Sequence, residues 1–386
     1  MVDDRRACVL FLVIASALAL VLPQPVSAHI PATASAPVLQ VQHNPGVSPR
    51  AEAELQEGIS LTTQGRFTEA IPHFLNARGH VVDEYAANFN LALCYVATGQ
   101  FEDAIAILKG LETGASVPAA VNNLITQAYI GAGRYSEASS AFEQAVKESP
   151  QDEKLYLFIA DACLDRQAYE FGLKTLNIGL QNLPRSSRLH YERGVFFSFE
   201  NEPDAAVADF ELASKLAPQT DIAYMAAGQK ALLEGNISDA IRVTREGIKR
   251  GHRNYILLTL FGEAVARSGE GPGQPEFAEA EAALKEAVAA RPNYADSQAI
   301  LGELYLSEGR LDDAIARLET ARKLAPNDPS VYSHLAIAYR RKGNLDAANA
   351  VLAKLAELNQ KQAAKYKNGS SGRKAGYISS ARVPHF

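Results

Sequence analysis

The chain has 386 residues, 47% of them hydrophobic and 21% charged, with no Trp and two Met, a balance that suits a folded protein and excludes disorder throughout. Its net charge of −6 hides an asymmetry, because residues 360–386 contain no Asp or Glu and carry Lys361, Lys365, Lys367, Arg373, Lys374 and Arg382. Removing those six cations leaves about −12 on the rest, which excludes a basic, phosphate-neutralising body and with it nucleic acid as the main partner.

Residues 1–28 read as a signal peptide. Arg5 and Arg6 precede an uncharged, largely apolar run from Ala7 to Leu22, and Val26-Ser27-Ala28 offers small residues to a signal peptidase, so cleavage is expected after Ala28. At 16 residues the run is shorter than the roughly 20 a bilayer-spanning helix needs, so a retained anchor is the lesser alternative. An exported chain, periplasmic or extracellular and of bacterial type, is the expectation. Residues 29–50 hold Pro31, Pro37, Pro45 and Pro49 among small residues and read as an extended linker.

From Ala51 a pattern recurs at a fixed interval. Ala70, Ala104, Ala138, Gly172, Ala206 and Ala240 stand 34 residues apart, and Ala280, Ala314 and Ala348 resume that period after one step of 40. Each interval suits two antiparallel helices, A and B. A small residue at position 8 (Gly58, Ala92, Gly194, Gly228, Gly262 and Gly302 among them) and another at position 20 let the two helices approach. Position 24 is bulky, as in Phe74, Phe142 and Phe210, with Thr244 the poor fit. Gly65, Gly99, Gly133, Gly235, Gly269, Gly309 and Gly343 end helix A, with Gln167 and Asn201 in that place in the fourth and fifth repeats. Pro150, Pro184, Pro218, Pro292 and Pro326 stop helix B at position 32.

These residues resemble the tetratricopeptide repeat family, in nine repeats over residues 51–359. Where that family often has Trp at position 4, Tyr156, His190, Tyr224 and Tyr332 stand here. The resemblance implies an all-α fold, an α-solenoid coiled as a right-handed superhelix with helix A on the concave wall. The longer step comes from Gly269-Glu-Gly-Pro-Gly-Gln-Pro275, an insertion near 270–275 that reads as a surface loop between the helices of repeat seven. Past Leu358 the last helix turns polar, a solvated cap that runs through Asn359 with continuation to about Lys367, and the basic tail of 360–386 contains a break at Asn368-Gly-Ser-Ser-Gly372.

Cys94 and Cys163 sit two repeats apart, too far to bridge, and are expected as free buried thiols. The histidines are scattered, and no HExxH, metal-spaced Cys/His cluster, phosphate-binding loop or GxSxG elbow occurs. No catalytic residue, metal or cofactor is therefore expected. The resemblance instead implies a non-enzymatic scaffold that binds a protein or peptide partner through positions 2, 5, 9 and 12 of helix A. Those columns hold Phe89, Leu157, Tyr191 and Met225 with Asn123, Gln127, Asp161 and Gln229 between them. An apolar wall with interspersed amides suits an extended or helical peptide; the alternative is that these residues pack between successive A helices. The charged clamp by which some family members hold chaperone tails is absent, its places taken by Leu55, Ile59, Leu93, Asn123 and Gln127. Two other readings remain: a peripheral envelope component whose basic tail touches anionic lipid or polymer, and a regulatory subunit of an enzyme complex.

Overall fold

The computed structural model describes residues 47–112, 118–269 and 271–369. The signal expected over 1–28, most of the linker, and the tail beyond 369 lie outside the described residues. Eighteen helices follow one another among the described residues, and the chain divides into two compact units, Met1–Thr175 and Leu176–Phe386. Unit 1 contains α1 (Pro49–Thr63), α2 (Phe67–Ala77), α3 (Glu84–Ala97), α4 (Phe101–Leu111), α5 (Ala119–Gly131), α6 (Tyr135–Glu148) and α7 (Glu153–Asp165). Helix α8 (Tyr169–Asn182) spans the division. Unit 2 continues with α9 (Ser187–Phe199), α10 (Pro203–Leu216), α11 (Asp221–Leu233), α12 (Ile237–Lys249), α13 (Tyr255–Ser268) and α14 (Pro275–Ala290). It ends with α15 (Ala295–Ser307), α16 (Leu311–Leu324), α17 (Pro329–Arg341) and α18 (Leu345–Gly369).

Each unit is a stack of antiparallel hairpins, an all-α repeat solenoid in which a helix packs on its hairpin partner and on the helices of the next repeat. The first helix starts at Pro49, two residues inside the expected linker, because Pro suits the first turn, where its missing N–H costs nothing. The last one runs to Gly369. Side chains of Asp83, Asp152, Ser186, Thr220, Asn254 and Asp328 accept the free N–H groups that open six of the A helices.

Helix A ends the same way in most repeats. Gln100 N–H donates to Tyr95 O at 2.8 Å, and Arg134 to Tyr129, Ala168 to Cys163 and Glu202 to Phe197 repeat that bond at the same length. This six-to-one bond needs a left-handed residue in between. Gly99 and Gly133 supply it at φ 78° and 76°, whereas Gln167 and Asn201 are forced into it at 55° and 58°.

The small position 8 works against position 24. A Cβ on Gly58 would lie 2.7 Å from the Phe74 ring, and one on Gly228 would lie 2.6 Å from the Thr244 methyl. Thr244 is fully buried and returns its hydroxyl to Ala240 O at 2.6 Å, so the outlying residue of that column still fills its place. In the insertion, α13 ends on Gly269 at φ 77° and α14 opens on Pro275, as the Gly and Pro content requires.

Candidate binding face

Successive A helices touch one another directly as well as their B partners: α3 meets α5, α5 meets α7, and in unit 2 α11 meets α13 and α13 meets α15. This contact has a cost for accessibility. Every residue of α5 from Val121 to Ile130 is buried, and so is every residue of α13 from Tyr255 to Val265.

Five of the eight expected contact residues lie together in unit 1. On α3, Phe89 is half-buried and stacks on the exposed ring of Tyr85, with centroids 5.9 Å apart and planes 13° from parallel. On α7, Leu157 is also half-buried. Between them, α5 carries Asn123 and Gln127, which are 8% and 6% exposed, and Gln127 Nε2 donates to Asn123 Oδ1 at 3.0 Å. Asp161, one turn beyond Leu157, retains 7% of its surface.

The other three are core. Tyr191, Met225 and Gln229 have no accessible surface, which corrects their reading as contact residues. Tyr191 packs on the Phe210 ring of helix B at 5.4 Å, and burial pushes its hydroxyl pKa well up. Both polar atoms of the Gln229 carboxamide meet no hydrogen-bond partner among the described residues. For these positions the packing alternative holds.

Other contacts were not legible as columns. The polar tip at position 4 reaches back to the carbonyl of the position-32 proline: Tyr156 donates to Pro150 O at 2.8 Å, Tyr332 to Pro326 O at 2.8 Å and Gln298 to Pro292 O at 2.7 Å. Arg267 and Arg341, both at position 13, donate to Leu232 O and Leu306 O, closing the end of the preceding A helix. In unit 2, His190 Nδ1 lies 2.8 Å from Asp209 Oδ1, while Arg193 grips the same carboxylate through Nε at 2.7 Å and Nη2 at 2.9 Å. Burial alone would raise the Asp209 pKa, but the hydrogen bonds from Arg193 and His190 outweigh it and hold the carboxyl below its ordinary range.

Cys94 and Cys163 are free and buried. Among the described residues no three His, Cys, Asp or Glu side chains converge as metal ligands, and no helix is long and apolar enough to cross a membrane.

The chain is 22% identical over 303 residues to DnaJ homolog subfamily C member 3 of Gallus gallus, covering 74% of this chain and 54% of that protein. It is 21% identical over 278 residues to the TPR repeat-containing protein YpiA of Bacillus subtilis (strain 168), covering 72% and 56%. The chain thus spans about half the length of the curated relatives it matches. Among solved structures it resembles a tetratricopeptide repeat protein from Parabacteroides merdae ATCC 43184, with a TM-score of 0.48 and 17% identity over 66% of this chain and 98% of that one. The tetratricopeptide repeat family model matches residues 61–127, 129–191, 273–336 and 306–369, more than half of the sequence. With the hairpins, the Gly-ended A helices and the small-against-bulky columns in place, the chain belongs to the tetratricopeptide repeat family, whose repeats are scaffolds for protein–protein interaction.

Proposed function

We propose that the chain is an exported, non-enzymatic adaptor, and that unit 1 binds a peptide segment of its partner along the A-helix face of α3, α5 and α7. The observation that carries the reading is the stacked Tyr85 and Phe89 pair on α3, an aromatic surface left partly open, with half-buried Leu157 two A helices further along on α7. Aromatic rings give large contact area at low entropy cost, which is why they dominate interface energetics. The nearly closed Asn123 and Gln127 amides are tied to each other by one hydrogen bond, so apolar contact at Phe89 and Leu157 supplies the affinity and the amides set the limits of the seat. Export is supported by the Arg5-Arg6 start, the Ala7–Leu22 run and the small residues ending at Ala28.

Crosslinking in the native compartment, followed by identification of the captured protein, tests both parts. Phe89→Glu combined with Leu157→Glu is expected to abolish capture while leaving helicity unchanged. Capture that survives the double variant would remove the binding face from consideration, and a chain found only in the cytoplasmic fraction would remove the export step. The six cations of residues 360–386 favour a second reading, contact with anionic lipid. Equal co-sedimentation of intact and tail-deleted chains with anionic vesicles would eliminate it.

A further inference from the structure

Position 4 of helix A is filled by a ring or a long polar side chain wherever it reaches back to the proline carbonyl, as Tyr156, Gln298 and Tyr332 do. In repeat two the residue there is Asn88, which turns its amide back to Glu84 O of its own helix at 2.7 Å. Facing it on α4 is Gly110. The equivalent places in neighbouring repeats carry Asn76, Gln144, Ile178 and Leu212, so one wall of the hairpin lacks a side chain and the other has a short one turned back on its own helix. The result is an open cleft of about 450 Å³ bounded by Arg78, Asn88, Tyr95, Asp103, Ala106 and Gly110, within the size range of small-ligand pockets.

Gly110 has no packing reason of its own. A Cβ built on it meets nothing within 4 Å, and a helical glycine costs roughly 0.5–1 kcal/mol relative to alanine. Arg78 and Asp103 make no side-chain hydrogen bond or ion pair among the described residues, yet both act on Tyr95: burial raises its hydroxyl pKa most, Asp103 raises it further and Arg78 lowers it. The cleft therefore offers a guanidinium to stack on a ring, a carboxylate to accept from an N–H or O–H, and apolar lining from Ala106, Ile107 and Leu111. Positions 4 and 11 lie roughly 130° round helix A from the groove columns, so this is a separate surface from the α3–α5–α7 face.

We propose that the cleft is a socket for one aromatic side chain with a donor on its edge, an indole or phenol, presented by a partner protein and seated where repeats four and nine place their own tyrosine.

The protein contains no Trp, so the anisotropy of an added indole can be read without background. N-acetyltryptophanamide titrated against the full chain is expected to bind saturably. Asn88→Tyr and Gly110→Leu, which install residues found at the equivalent places of other repeats, are each expected to weaken it about tenfold or more, with unfolding midpoints at or above that of the parent. Phe89→Glu is expected to leave the probe's affinity unchanged. A titration that never saturates, or full affinity in both filled variants, overturns the socket, and equal weakening by Phe89→Glu overturns its location. Free indole binding as tightly as the amide overturns the peptide-borne source.

Discussion

Gln167 and Asn201 hold the left-handed turn of helix A at φ 55° and 58° in the place where the other repeats use glycine. A side chain in that region is strained by about 1 kcal/mol, part of which glycine returns through its greater freedom when unfolded. Gln167→Gly is therefore expected to raise stability by about 0.5 kcal/mol in urea unfolding, and Asn201→Gly by less, because Asn tolerates this conformation better. Gly194→Ala should do the opposite, since its Cβ would stand 2.8 Å from the Phe210 ring; a loss of about 1–3 kcal/mol is expected. At Gln229 an unsatisfied, fully buried carboxamide carries the desolvation cost without a bond. Gln229→Met should gain about 1 kcal/mol by removing two stranded polar atoms at similar volume, and unchanged or lower stability would show that a partner for the amide exists. The conformational demand at Gln167 was legible in the sequence from its place in the glycine series. The burial of Gln229 was not, because position 9 alone does not say how closely the next A helix approaches.

Helix pairing was largely legible, since most hairpins are announced by a small residue, a glycine and a bulky residue in fixed phase, and those constraints act within one repeat. The groove was legible only in part. Whether a column faces solvent depends on contact between successive A helices, and α5 and α13 show the columns closed by such contact. Phe89 and Leu157 stay partly open; Tyr191 and Met225 are sealed. The His190, Arg193 and Asp209 cluster was hidden for a related reason, because its members come from two helices and share no motif. It ties α9 to α10 through a carboxylate that is almost wholly enclosed. Asp209→Asn leaves the guanidinium with a neutral partner, and a loss of about 3 kcal/mol is expected. If the variant unfolds at the parental denaturant concentration, the cluster has no structural weight.

At the scale of the whole chain, the ionisable groups that matter for stability are distributed unequally between the units, and acid and alkali should act on different ones. In unit 2 the Asp209 carboxyl is held below its ordinary range, so its contribution is complete above the unfolded value of about 3.9 and is lost as pH falls through the folded one. Two lowered carboxyls of unit 1, Glu69 and Glu137, are solvent-exposed partners of Arg66 and Arg134, where screening leaves little to lose. Unit 1 instead contains both buried thiols. Burial pushes Cys94 up to about 12 and raises Cys163 as well, whereas an unfolded thiol ionises near about 8.5. Above that pH the unfolded chain has released protons that the folded unit retains, so stability falls by about 1.4 kcal/mol per pH unit per thiol. The same thiols report on unit 1 alone, because Leu176–Phe386 contains no cysteine. Below about pH 4, helicity should begin to fall while Cys94 and Cys163 stay protected from a thiol reagent that works in acid. Above about pH 9 the thiols should become reactive as stability is lost, and Cys94→Ala should move that onset upward. Thiol exposure in acid at the same pH as the fall in helicity would show that Asp209 does not localise the acid transition to unit 2.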